Sequence, residues 1–253
     1  MTDLMQASDQ WAKRPDDERF WTIDEMHTKT HQSFLNSQEF SATLENAQFH
    51  SQVGGRAIGL TLGDEQPCDG PLEMSHFAFG QMCRTFGAPT EYLRSLPAQT
   101  AVQCLSHGRD EWINDRGTDA TRQFLLHGAG NRPMIRAATS DRYSRVWNHE
   151  IVSRLGGLHA EGWRVPSARP SSLGANTRIA TEDDVIDYGT SSNLTVKVGD
   201  TIGPAGLYAS DHDMFAFLIN PEVVINDGES PHGLRRGTMI RQSEVGDCAI
   251  WKL

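Results

Sequence analysis

SHFAFGQMCRTFGAPTEYLRSLP (residues 75–97), followed by RQFLLHGAGNRPMIRAATSDRYSRV (residues 122–146), decides the fold class. In the first stretch Ser75 stands where an N-cap accepts the orphan amides of a new helix. Gly87 stops that helix, Pro89 follows, and Thr90 opens a second helix that ends before Pro97. In the second stretch two runs rich in apolar residues flank GAGNRP, the pattern of two strands joined by a turn. Helices and strands thus come in separate runs, which predicts an α+β protein. The expected architecture is an antiparallel or mixed β-sheet with an N-terminal helical region and a central helical hairpin.

Working outward, Thr22 and Glu25 have the spacing of a capping box for a helix over 22–38, with Met26, Phe34 and Leu35 as its apolar face. Alternation from Glu39, then Gly54-Gly55 and RAIGLTLG, predicts a β-hairpin across 38–63. AQTAVQCLSHG continues the helical region with Ala101, Val102 and Leu105 inward. NHEIVSRLGGL reads as a short helix capped by Asn148 and stopped by Gly156-Gly157. LTVKV, MFAFLI, EVVI, TMIRQSEV and CAIWKL read as strands. Residues 1–20 are expected to form a peripheral arm and 21–253 a single domain. Because the last apolar run is cut at residue 253, that domain is expected to continue beyond it.

Helix, short turn, helix over 75–97 is also the outline of a DNA-reading motif. The second helix is only about two turns long, and Tyr92, Leu93 and Leu96 read as core anchors, so an ordinary helical hairpin is expected.

The chain carries a net charge of −10, 38% hydrophobic residues and four cysteines without a CxxC pair. That composition excludes a generally basic nucleic-acid coat and gives no zinc-finger or thioredoxin-like signature. The polar, acidic N-terminus lacks the apolar stretch of a signal peptide, and no run reaches the roughly 20 apolar residues of a membrane span. A cytoplasmic protein with reduced thiols and no membrane partner is expected. Only four of the 23 basic residues are lysines. Between Arg132 and Arg178 eight arginines face three acids, a local excess of five positive charges.

Three clusters carry candidate chemistry. RAATSDRYSRV would place Arg136 and Ser140 on one strand face, with Arg142 and Arg145 beyond them and Tyr143 to stack on a base; this donor set suits a phosphate backbone. The competing reading pairs Asp141 with Arg142 and plugs the core with Tyr143. Ser210-Asp211-His212-Asp213 offers Asp211 and Asp213 as oxygen ligands for magnesium or manganese, against a plain turn before a strand. Arg235 and Arg236, followed by Arg241 and Ser243 on one face, form a second basic surface, against a solvated edge strand blunted by charge. His27 and His31 stand four apart on the first helix, a spacing that can clamp a metal but more commonly marks an exposed face. The phosphate loop GxxxxGK[ST], the HExxH helix, the GxSxG elbow and GxGxxG are all absent.

SHFAFGQMCRTFGAPTEYLRSLP, IRAATSDRYSRVWNHEIVSRL, LYASDHDMFAFL and RRGTMIRQSEVGDCAIW, in that order over residues 73–253, resemble an uncharacterised phage and plasmid protein family, domain of unknown function 932. Arg241 stands where that family often has Asn, and the family pattern continues past the position of Leu253. The resemblance implies a mobile-element setting beside replication or recombination genes and supplies no activity. Three readings follow: an accessory protein that binds single-stranded DNA, in annealing or recombination and as a homo-oligomer; a non-enzymatic acidic assembly or inhibitory protein contacting a host or phage partner; and a metal-dependent nuclease-like enzyme.

Overall fold

Two large apolar cores stand out among the described residues. The computed structural model describes residues 14–51, 58–128, 133–168, 176–186, 196–226, 228, 234–246 and 249–252. In chain order they begin with β1 (Arg19–Phe20) and α1 (Ile23–Leu35). There follow β2 (Ser37–Thr43), β3 (Gln48–Ser51), β4 (Ile58–Thr61), β5 (Leu72–Met74), α2 (His76–Thr85), α3 (Thr90–Ser95), α4 (Ala98–Arg116), β6 (Thr121–His127) and β7 (Met134–Ser140). The remainder is α5 (Asn148–Ala160), β8 (Ser167–Ala168), β9 (Arg178–Ile179), β10 (Thr201–Pro204), β11 (Leu207–Ala209), β12 (Met214–Ile225), β13 (Leu234–Gln242) and β14 (Ala249–Lys252). The α+β class and the mixed and antiparallel sheets are as the sequence predicts. The stretch 21–253, read there as one domain, groups into two compact units: residues 33–145, and the N-terminal 32 residues with 146–253.

The 33–145 unit is built on a six-stranded sheet in the order β2-β6-β7-β5-β4-β3. Its pairings are antiparallel except β5 with β7. The hairpin expected across 38–63 is in fact β3 with β4, while β2 leaves to pair with β6. Period-2 alternation marks both strands alike and carries no information about which neighbour each will choose. Leu44, Leu60, Leu72, Phe79, Met82, Leu105, Phe124 and Ile135 fill this unit's core. Ser75 serves twice. Its Oγ accepts the Ala78 N–H at 3.1 Å, as an N-cap should, and donates to the Arg136 carbonyl at 3.0 Å, clipping α2 to β7. Gly87 adopts φ +67°, the left-handed turn that a glycine after a helix permits. The helical hairpin forms as expected, although of the three anchors expected on its second helix Tyr92 is exposed, Leu96 is half-buried and Leu93 alone is fully buried.

In the other unit β1-β11-β12-β13-β14 form an antiparallel sheet. Ile23 and Met26 of α1 and Ile151, Val152 and Leu155 of α5 pack with Leu207, Met214, Leu218 and Ile240 of that sheet. The expected capping box is present: Thr22 Oγ1 accepts the Glu25 N–H at 3.1 Å, and Glu25 Oε2 accepts the Thr22 N–H at 3.4 Å. Leu35, expected on the apolar face, is exposed instead. The N-terminal arm is not peripheral where it is described, because β1 pairs with β11 and Phe20 is buried. α5 runs through Gly156-Gly157 to Ala160, with Trp147 rather than Asn148 at the cap position. MFAFLI and EVVI are one strand, β12, with an irregularity in its pairing between Asn220 and Val224. A small sheet, β8-β10-β9, stands beside a minor cluster of Ala180, Val196 and Ile202. Of LTVKV, residues 196–198 are described and are not a strand.

Candidate functional site

In the 33–145 unit, the expected strand face of RAATSDRYSRV does not form. β7 is an interior strand, paired on one side with β6 and on the other with β5, and the α2 side chain of Gln81 accepts the Ala138 N–H at 2.7 Å. Ile135 through Thr139 are consequently all buried, and Arg136 is 4% exposed rather than solvent-facing. Beyond the strand, Arg145 Nε donates to Glu39 Oε1 at 2.6 Å, with the arginine side chain 2% exposed. Its guanidinium lies 5.4 Å from the Tyr143 ring centre, and Tyr143 is half-buried. Ser140 and Arg142 are the members of this cluster that reach the surface. Two of its three arginines, Arg136 and Arg145, are thus withdrawn from any phosphate contact, β7 being buried on both faces from Ile135 to Thr139.

In the other unit the SDHD and RQSEVG motifs meet, although 28 residues separate Asp213 from Arg241. Ser210–Asp213 is the turn between β11 and β12, closed by the Ser210 N–H donating to the Asp213 carbonyl at 2.9 Å. Ser210 Oγ accepts the His212 and Asp213 amides at 3.1 and 3.2 Å, so the short polar side chain builds the turn locally. Asp211 is exposed while Asp213 is 3% exposed; the two carboxylates do not share a strand face.

Asp213 is the hub. Its Oδ2 receives Arg14 Nη2 at 3.4 Å and Arg241 Nη2 at 3.3 Å, and its Oδ1 receives Ser210 Oγ at 3.2 Å. Arg14 also donates through Nη1 to Tyr208 Oη at 2.8 Å and lies over that ring. Burial pushes the Tyr208 phenol well above its usual range. Burial likewise raises the Glu18 carboxyl, against its hydrogen bond to Tyr208. Ser243 Oγ donates to the His212 carbonyl at 2.7 Å, tying the end of β13 to the turn. Buried Glu244 accepts the Asn148 N–H at 2.6 Å, putting a carboxylate at the N-terminus of α5, where the helix dipole favours it. SEVG is therefore a cap and a brace, and β13 is an interior strand rather than a charged edge.

Magnesium and manganese need open oxygen ligands, and two guanidiniums and a hydroxyl already engage the Asp213 carboxylate. Among the described residues, no three His, Cys, Asp or Glu side chains are gathered as a ligand set. Arg235 is half-buried and Arg236 is exposed, its guanidinium 5.6 Å from the ring centre of buried Trp163.

Arg14, Glu18 and Tyr208 belong to the Asp213 cluster and were not legible as such. A second such group is His149, whose ring lies 5.4 Å from that of His31, which in turn stacks on His27 at 5.8 Å. The i, i+4 histidine spacing was a visible signal for two members; nothing in the sequence marks the third. No family model, curated protein or solved structure matches this chain.

Proposed function

We propose that the protein is a non-enzymatic assembly protein that pairs with a second copy of its own chain through the outer ribbon of β12 and β13. The observation that carries this reading is the exposed apolar run Val223, Val224 and Ile225, at 40%, 51% and 51% exposure. Among the described residues, β11 pairs with β12 only at Met214–Ala216, Arg164 bridges it at Ile219, and β14 pairs with β13 only from Met239 onward. A two-stranded ribbon is marginal in water by itself, and an open edge with apolar side chains is a template for another strand. The ribbon carries Glu222 on one strand and Arg235 and Arg236 on the other, so two copies offer each other opposite charges.

Size-exclusion chromatography with light scattering tests this reading. A concentration-dependent dimer or larger ring that Val224→Lys with Ile225→Lys converts to monomer is expected. A wild-type monomer at about 100 μM protein, where even a weak interface should pair, would refute it.

A second reading is single-stranded DNA binding through Ser140 and Arg142 of the 33–145 unit. Their surface positions, and the resemblance of the quoted sequence blocks to a mobile-element family, support it. The withdrawal of Arg136 and Arg145 from the surface weighs against it. Fluorescence anisotropy with a labelled oligonucleotide separates the two. Affinity that falls steeply with salt would favour DNA, and no change at tens of micromolar protein, well inside the non-specific range, would favour the assembly reading.

A further inference from the structure

We infer that Arg122, with Arg116 and Ser140, forms a binding site for one phosphate-type oxyanion where β6 begins and β7 ends in the 33–145 unit. Arg122 and Ser140 stand directly opposite each other in the β6–β7 pair. Residues so opposed share a sheet face, with Cβ atoms about 4.5–5.5 Å apart. Trp112 of α4 packs against this unit's core, and the Arg122 guanidinium lies 5.5 Å from its ring centre. Arg116 follows Trp112 by one turn of α4, on the same helix face. Strand pairing and core packing thus bring a guanidinium and a hydroxyl together, and a second guanidinium borders them.

Arg14 and Arg241 share Asp213, Arg145 holds Glu39, and Arg178 holds Asp184. Arg122 differs: among the described residues its Nε is buried without a hydrogen-bond partner. Burial holds the guanidinium below its ordinary value; Asp141 acts against that, and Arg116, a like charge, adds to it. A cation withdrawn from water beside a like charge is destabilising until an anion answers it. Arg122 keeps part of its surface, and Ser140 and Arg116 are exposed, so an anion can reach all three. Stacking on an aromatic ring engages the face of a guanidinium and leaves the N–H groups in its plane for a ligand. A tetrahedral oxyanion accepts from such a fork and from a hydroxyl at once, which favours phosphate over a spherical anion such as chloride. Asp141 stands in the turn closed by the Tyr143 N–H on the Ser140 carbonyl at 3.0 Å, and it is the carboxylate that opposes an anion here. The site is distinct from Asp213 and independent of the pairing proposed for the ribbon. It does not rest on the DNA reading either, since a single phosphate group, free or carried on a nucleoside, is its ligand.

Thermal melting of the full chain in sodium phosphate, with ionic strength held constant by sodium chloride, tests the inference. A saturable rise in melting temperature over about 0.1–20 mM phosphate is expected, as for a ligand of the folded state alone. Arg122→Gln should weaken phosphate binding by at least about tenfold, the effect of one lost charge-assisted hydrogen bond. Arg116→Ala should weaken it by about two- to fivefold, and Asp141→Asn should strengthen it by a similar factor, the scale of exposed charge pairs. A merely structural role for these residues would not produce opposite signs. Circular dichroism without phosphate verifies that each variant is folded. Should Arg122→Gln fail to fold, Arg116→Ala and Asp141→Asn, both at exposed positions, carry the test. Adenosine 5′-monophosphate, titrated alongside, distinguishes the sources: equal or weaker affinity assigns the free ion, and tighter affinity a phosphate carried on a nucleoside. Absence of a saturable rise up to about 20 mM phosphate would overturn the site, whatever an oligonucleotide does. So would a rise that Arg122→Gln shares in full, which is the general stabilisation by excluded salts.

Discussion

Replacing Asp213 by alanine decides whether the most elaborate polar cluster of this protein is scaffold or site. The substitution removes one hydrogen bond from Ser210 Oγ and two guanidinium contacts of 3.3 and 3.4 Å. A typical hydrogen bond contributes about 1 kcal/mol, and charged ones about 1.5–3 kcal/mol. These guanidinium contacts are longer than the best charge-assisted geometry, which puts each near the bottom of that range. Arg14 and Arg241 keep 29% and 27% of their side chains exposed, so water recovers part of what they lose. The sum is about 3 kcal/mol, the lower end of the cost of breaking a buried pair. Arg14→Ala or Arg241→Ala alone, leaving the other guanidinium in place, should cost about 1–1.5 kcal/mol each. Urea unfolding followed by tryptophan fluorescence suits the question, because the described tryptophans, Trp112 excepted, lie in the unit that holds Asp213. With a slope of about 2–3 kcal/mol per molar urea, the midpoint should fall by about 1–1.5 M. A midpoint within about 0.3 M of wild type, a change near the error of such fits, would refute the scaffold reading. Asp213 would then be held buried for a ligand.

Arg136→Ala should cost about 2–3 kcal/mol in a thermal or urea melt, while Arg142→Ala, at the surface, should stay within about 0.5 kcal/mol; equal effects would mean that the two arginines are not differently placed. Gly206→Ala should destabilise by about 1–3 kcal/mol through overpacking, because a Cβ there would lie 2.7 Å from Pro166 Cδ and 2.8 Å from the Phe217 carbonyl; an unchanged melting temperature would contradict that crowding. For His149, burial holds the imidazole below its ordinary value of 6.5, so as pH falls the unfolded chain takes up the proton first. Its contribution is complete above about pH 6.5 and is lost as pH falls through the folded value. Melting temperatures across pH 5–8 should show that loss in the wild type and less of it in His149→Gln.

Local chemistry was legible in the sequence wherever one or two neighbouring residues decide the outcome. Ser75 and Thr22 cap helices because a hydroxyl within three residues of orphan amides has little else to bond. Ser210 turns the chain before β12 for the same reason. Pairing choices were not legible. Whether β2 joins β3 or β6 depends on contacts some 80 residues away, and the alternation in SQEFSAT is satisfied by either partner. The same gap misplaced Arg136. Alternation predicts one dry and one wet face only for a strand with one open face, and β7 is buried on both faces from Ile135 to Thr139. The candidate sites were half visible: SDHD and RQSEVG each announced polar chemistry, but their meeting at Asp213, with Arg14 arriving from the N-terminal arm, is a property of the fold.

Arginine content was the strongest argument for a polyanionic ligand, and the structure assigns much of it to internal work. Arg14 and Arg241 neutralise Asp213, and Arg145 neutralises Glu39. Arg178 forms two 2.5 Å bonds with Asp184 while lying over Trp21, and the hydrogen bond holds the Asp184 carboxyl below its ordinary range. The planar guanidinium fork suits such sites better than an ammonium, since it bonds a carboxylate along one edge and stacks on a ring with its face. That geometry gives the scarcity of lysine a structural use: at Asp184 and at Asp213, a lysine could supply the charge but neither the paired bonds nor the stacking. A local excess of five positive charges between residues 132 and 178 therefore does not predict a positive surface there. Arg136 and Arg145 of that stretch are buried in the 33–145 unit, and Arg178 is paired in the other. Charge counted along a sequence becomes a binding argument only after the carboxylates that fold against it have been subtracted.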